Sequence, residues 1–315
     1  MNIRIIPTFP KIARRAVASL IFVFAAAAAG QLVASCSSST PAEPYPQPDD
    51  ISGGVSSVPV SRLLEVKTPG GLRQQMVEYT GMTVSFNSDT HDPNYVEWEL
   101  TREEANGTVP RTDNFMADEN VPGSALPSDY RNSGYDRGHM APAGDMKWHV
   151  QAMRESFYMT NMCPQSPDLN RGAWEKLEEK CRVKAREDES LIIICGPIFD
   201  ESGPAARIGQ TGVAVPQRFF KVILAPKAER PYAIGFIMPN GYVEGGMQEA
   251  AVSVDEVEAA TGYDFFSALP DETEKLLESR CDFQTFSRSN ARRSTKSTYS
   301  DDELRDLRKL RDLLR

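Results

Sequence analysis

Histidine is scarce in this chain. His91, His139 and His149 are the only three in 315 residues, which excludes metal centres built from several imidazoles. Cysteine is nearly as sparse: five residues and no CxxC pair leave zinc-ribbon and thioredoxin-like chemistry without support. An excess of positive charge is also missing, since 44 acidic against 35 basic side chains give a net charge of −9. Proteins that coat nucleic acid neutralise many phosphates with Lys and Arg, so that class is disfavoured. An enzyme that releases its product needs only a local basic patch, and acidity does not exclude it. What remains, 40% hydrophobic and 25% charged residues, is the composition of a globular protein rather than a fibrous or disordered one.

Long apolar runs are absent except near the start. Arg4, Lys11, Arg14 and Arg15 precede Ala16–Gly30, which is apolar or small throughout apart from Ser19, and Leu32-Val-Ala-Ser-Cys36 follows. The run is short for a membrane span. Small residues before a cysteine, directly after an apolar core, resemble a bacterial lipobox, in which the cysteine becomes the acylated first residue. Residues 1–35 therefore read as a lipoprotein signal peptide and Cys36 as the lipidation site. That reading makes the membrane a partner and places the protein in the cell envelope, at the outer membrane, periplasm-facing or extracellular. Removing the segment takes the net charge from −9 to −13. Outside the cytoplasm disulfides persist. Cys163, Cys181, Cys195 and Cys281 then allow three complete pairings, among which sequence does not choose, and at least one disulfide is expected.

Residues 36–60 are rich in Ser, Pro, Gly and Asp and read as a flexible linker. A domain over 61–286 follows, then a second linker over 287–299. A C-terminal amphipathic helix over 300–315 opens with the capping box Ser300-Asp-Asp-Glu303 and carries Leu304, Leu307, Leu310 and Leu314 at helical spacing. Within the domain, Met82–Phe86 and Tyr95–Leu100 alternate as an early strand pair, and 107–133 is a long polar loop. Lys147–Tyr158 and Asn170–Lys184 have helical stripes, as do Val252–Thr261 and Glu272–Ser279. Leu191–Cys195, Phe219–Leu224 and Tyr232–Met238 read as strands. The irregular interleaving of strands and helices predicts an α+β fold. The oligomeric state is not readable.

Chemistry concentrates at Tyr135-Asp136-Arg137-Gly138-His139. A neutral imidazole can take a proton from water attacking a phosphodiester, and Arg137 supplies a permanently charged donor for phosphate oxygens. An isolated histidine is more often a hydrogen-bonded structural residue. The balance shifts with Thr160-Asn-Met-Cys-Pro-Gln165 and Leu169-Asn-Arg-Gly-Ala-Trp-Glu-Lys-Leu-Glu178 downstream. It shifts further with Cys195–Phe199, Val213–Pro216, Phe219–Val222, Gly235–Asn240 and Thr261–Phe266. This ordered set, spread over roughly residues 63–286, resembles the DNA/RNA non-specific endonuclease family, which includes the Serratia-type secreted nucleases and mitochondrial endonuclease G.

The resemblance implies a ββα-metal (His-Me finger) fold with a central, mostly antiparallel sheet flanked by helices. It implies a sugar- and sequence-non-specific endonuclease acting on DNA and RNA to leave 5′-phosphate ends, with His139 as general base. Asn170 would be the single direct protein ligand of a hydrated Mg²⁺, for which Mn²⁺ could substitute. Glu178 would hold the ion through water: on a continuous helix it lies ~12 Å from Asn170 along the backbone. Asn161 would lie near the cleaved phosphate, Gln165 would support substrate binding, and Arg111, in Arg111-Thr-Asp-Asn-Phe115, would join Arg137 on the phosphate in catalysis. Asp145 adds a carboxylate expected to weaken substrate binding or recruit a second cation. Asp136 and Gly138 are expected to shape the turn that presents His139. Two other classes compete with a nuclease: a binding-only lipoprotein of the same fold, and a toxin paired with an immunity protein.

Overall fold

The run Leu191-Ile-Ile-Ile-Cys195 is apolar at every position, which a strand can bury only when both faces of its sheet are covered. The computed structural model describes residues 48–288 and shows this arrangement. Its strands are β1 (Gln75–Glu78), β2 (Thr83–Asn87), β3 (Asp92–Thr101), β4 (Asp136–His139), β5 (Met162–Gln165), β6 (Ser190–Ile198), β7 (Ala206–Ile208), β8 (Val213–Val215), β9 (Arg218–Ala225), β10 (Tyr232–Pro239) and β11 (Ala251–Val252). Seven of them form one sheet in the order β1-β2-β3-β6-β9-β10-β11. Its neighbours all pair antiparallel, and β6 lies near its centre.

The helices are α1 (Pro48–Ser56), α2 (Val60–Leu63), α3 (Val150–Glu155), α4 (Glu175–Asp188), α5 (Val254–Thr261), α6 (Asp271–Glu278) and α7 (Phe283–Ser287). The two-residue alternation of β6 sends Leu191, Ile193 and Cys195 to one core, where Trp98, Trp174 and the α4 residues Leu177, Cys181 and Ala185 meet them. Ile192 and Ile194 face the other core, with Ile51 and Val55 of α1 and Val257 of α5. The layers are thus helix, sheet, helix. Ser253 and Glu256 form a capping box at the start of α5, and Gly262, in the left-handed conformation at φ 72°, closes it. Among the described residues the strand and helix expectations hold in type, with Leu169–Trp174 a π-helical turn ahead of α4. Lys147–Tyr158 contracts to α3 because His149 caps it, its Nδ1 accepting from the Gln151 N–H at 3.2 Å.

One expectation needs correction. Residues 48–60 are not a flexible linker: α1 docks through Ile51 and Val55, which are 2% and 1% exposed, so the folded body begins by Pro48. The polar composition concealed it because only two side chains of that helix carry the docking. The expected disulfide is present, since Cys281 is disulfide-bonded. Cys163, Cys181 and Cys195 are free and buried and serve the core as small apolar side chains. Residues 1–35, Cys36 and the 300–315 helix lie outside the described residues.

β4 and β5 form a separate antiparallel ribbon, with His139 opposite Met162 and Asp136 opposite Gln165. The chain then passes through a π-helical turn, Leu169–Trp174, into α4. This two-strand and helix unit carries the motifs singled out above.

Candidate active site

Strand alternation puts Arg137 and His139 on one face of β4. That face opens onto a cleft also lined by Arg111, Asn170 and Glu178. Five expected site residues, from three separate stretches of chain, therefore share one cavity. Lys147, Arg171, Glu175 and Arg182 line it too.

Two aromatic rings bracket the histidine. The His139 ring stands edge-on to Phe157 at 5.0 Å and tilted to Phe115 at 5.5 Å. The same rings carry the guanidinium groups: Arg137 lies over Phe115 at 4.1 Å and Arg111 over Phe157 at 5.0 Å, within cation–π range. His139 is only 8% exposed. Burial and the positive charge of Arg111 and Arg137 depress its pKa to about 3, with Asp113 opposing. The imidazole is neutral at physiological pH and available as an acceptor. Arg111 donates from Nε to Asp113 Oδ1 at 2.6 Å, a contact between half-exposed side chains that an incoming phosphate can replace.

Asp136 orders the opposite wall. It accepts two hydrogen bonds from Arg171, at 2.8 and 2.6 Å, and one from the Asn170 amide nitrogen at 3.0 Å. Burial works to raise its pKa, but these bonds outweigh it and hold the carboxyl below the usual range. An ionised carboxylate only accepts, so the Asn170 nitrogen must face Asp136 and the amide oxygen is the atom left to ligate a cation. The cleft donors are that oxygen and the carboxylates of Glu175 and Glu178. This all-oxygen set fits a hard cation that keeps most of its waters. Burial, partly offset by Lys221, pushes the Glu178 carboxyl up to about 8, as expected of an acid whose partner is a cation.

Residues 59–272 match the DNA/RNA non-specific endonuclease family. The chain belongs to that family. The endonuclease is 35% identical to mitochondrial nuclease 1 of Schizosaccharomyces pombe over 69% of its own length and 73% of that protein. It is 35% identical to the mitochondrial nuclease EXOG of Mus musculus, over 61% of this chain and 56% of that one. A Nostoc nuclease is 32% identical over 63% and 76% of the two chains. The endonuclease thus spans just over half of EXOG and about three quarters of the other two. EndoG, solved in complex with its inhibitor EndoGI, superposes with a TM-score of 0.59 at 28% identity, over 64% of this chain and 89% of that one. The endonuclease therefore has the α+β, ββα-metal architecture that its motifs implied.

Several expected site residues are elsewhere in the endonuclease. Asn161 is fully buried. Its side chain accepts from the Ala141 N–H and donates to the carbonyls of Ala141 and Ser156, so it anchors the backbone two residues beyond His139 and does not line the cleft. Gln165 is buried behind β4 against Gly138 and does not line the cleft. Asp145 does not face the cleft: it is 1% exposed and accepts from Arg182 at 3.0 Å and Trp98 Nε1 at 3.2 Å. The DRGH segment is a strand rather than a turn. Asp136 orients Asn170, and Gly138 leaves room for Gln165, whose Oε1 would lie 2.1 Å from an added Cβ.

Sequence reasoning missed Phe115, Phe157, Arg171 and Lys221. Lys221 is buried in β9, its ammonium 4.4 Å from the Trp174 ring and 5.2 Å from Trp98. Burial works against its charge, but Cys195, Glu178, Cys181 and Asp145 outweigh it and raise its pKa. One signal was available: a lysine inside Phe219-Phe-Lys-Val222 interrupts an otherwise apolar strand.

Proposed function

We propose that this endonuclease hydrolyses phosphodiester bonds in both DNA and RNA, without sequence preference, and leaves 5′-phosphate ends. The observation that carries the reading is the convergence of a neutral imidazole, two guanidinium groups and Asn170 on one cleft. His139 Nε2 is enclosed without a hydrogen-bond partner, so Nδ1 is the atom assigned to take the proton from attacking water. Arg137 and Arg111 hold non-bridging phosphate oxygens, with Asp113 giving way. Asn170 would hold a hydrated Mg²⁺, or Mn²⁺ in its place, with Glu178 acting through water. When bound, that ion would supply positive charge beside the phosphate and the leaving 3′ oxygen. None of these groups reads a base edge or needs a 2′-hydroxyl, which is the basis for expecting little selectivity. Purified protein should nick plasmid and degrade RNA with Mg²⁺ and stop on chelation. His139→Ala should lose about 10²–10⁴-fold in rate; full activity in that variant would overturn the mechanism.

We also propose an envelope location with a lipid anchor at Cys36, supported by the basic, apolar and lipobox-like order of residues 4–36. Mass spectrometry of the mature N-terminus should find an acylated Cys36. An unmodified cysteine there would remove the proposal.

A further inference from the structure

Helices α5 and α6 bring three carboxylates together outside the cleft. Side-chain oxygens of Asp255, Glu258 and Glu278 lie within 4.8 Å of one another, the one such grouping of metal-type side chains among the described residues. Asp255 is exposed and Glu258 half-buried, while Glu278 is 4% exposed. Glu278 Oε1 is buried with no hydrogen-bond partner. Glu258 Oε1 accepts from the Phe265 N–H at 2.8 Å, which fixes that side chain. Asp264 and Glu274 add negative charge nearby. The neighbouring cation, Lys67, is already bonded to Asp264 at 3.0 Å.

A buried carboxylate must be paired, protonated or bound to metal. No ion pair reaches these three among the described residues. Burial, then Glu258, Glu274, Asp255 and Asp264, push the Glu278 carboxyl up to about 9, so the cluster calls for a proton or a cation. A cation bonded to oxygens at about 2.3–2.6 Å holds them up to roughly 5 Å apart, and calcium tolerates the irregular geometry and fills its remaining positions with water. Magnesium needs about 2.0–2.1 Å and a near-ideal octahedron.

We propose that Asp255, Glu258 and Glu278 form a calcium site that ties α5 to α6. The site shares no residue with the catalytic cleft and does not rest on the reaction proposed above. Bound calcium neutralises Glu278 and holds the two helices together on the face of the sheet opposite α4.

Calcium chloride titrated into chelator-stripped protein, followed by thermal unfolding, tests it. The midpoint should rise with half-effect at about 10⁻⁴–10⁻³ M, typical of sparsely liganded sites, and by about 3–6 °C at tenfold excess over that value. Asp255→Asn, at an exposed position, and Glu278→Gln should each abolish the rise, and Asn170→Ala should keep it. If Glu278→Gln fails to fold, Asp255→Asn alone decides. The proposal is overturned by no rise in the wild type, by a rise that survives the decisive variants, or by a rise lost in Asn170→Ala, which would place the ion in the cleft. An equal rise with magnesium in Asn170→Ala would overturn the assignment to calcium.

Discussion

His139 sits between two phenylalanines and two arginines, and that neighbourhood sets its protonation. In an unfolded chain its pKa is near 6.5; folded, burial and then Arg111 and Arg137 bring it to about 3. The unfolded state therefore binds more protons below pH 6.5, and stability falls as pH drops from there towards 3. Between pH 7 and pH 5 the imidazole alone should cost about 2 kcal/mol. Urea unfolding at both pH values should show a loss in the wild type that is about that much smaller in His139→Gln. An equal loss in both would mean the histidine is not enclosed as described. His139 and Arg137 were legible in sequence because they lie two residues apart on one strand. Phe115 and Phe157 were not: they lie 42 residues apart by number, and only folding stacks them around the imidazole.

At the scale of elements, the ribbon β4–β5 and the π-helical turn after it place the site. Gly138 has no side chain because Gln165 presses on the opposite face of β4, so Gly138→Ala must displace Gln165 or shift the ribbon. Overpacking of this kind costs about 1–3 kcal/mol. Gly138→Ala should lose that stability and some activity, and adding Gln165→Ala should restore part of both; strict additivity in chemical denaturation would refute the contact. The helix expected over Asn170–Lys184 is broken at Gly172, whose φ of −118° and ψ of −111° are not helical. Turns of this type often occur at functional sites. Here the turn presents Asn170 and Arg171 to Asp136, so the ~12 Å helical spacing to Glu178 does not describe this segment. Helical periodicity could not reveal the break because Trp174, Leu177 and Cys181 keep their stripe beyond it.

Across the whole molecule, the seven-stranded sheet is covered on both faces, and α1 contributes to one of them. Ile51→Ala should therefore destabilise the protein by about 2–5 kcal/mol, read as a lower urea midpoint with unchanged steepness. A flexible linker would give no change. The sheet also explains why net charge said little about substrate. The acidic side chains Asp255, Glu258 and Glu278 gather on the α5–α6 face, whereas Arg111, Arg137, Lys147, Arg171 and Arg182 line the cleft. A single net value averages two separate surfaces.

Residue pattern alone determined the fold class, the five inner strands of the central sheet and the segments that carry chemistry, because those follow from local periodicity and short motifs; the edge strands β1 and β11 were not legible. It also singled out five of the residues that share the cleft. Which polar side chains face substrate and which hold the backbone was decided only in three dimensions. Asn161 and Asn170 are nine residues apart in similar polar segments, yet one is sealed inside, clamping Ala141, and the other opens on the cleft. The same holds for Asp145, Lys221 and the three free cysteines, whose roles depend on what packs against them. Burial and partner geometry are properties of contacts between distant segments, and no single stretch of sequence contains them.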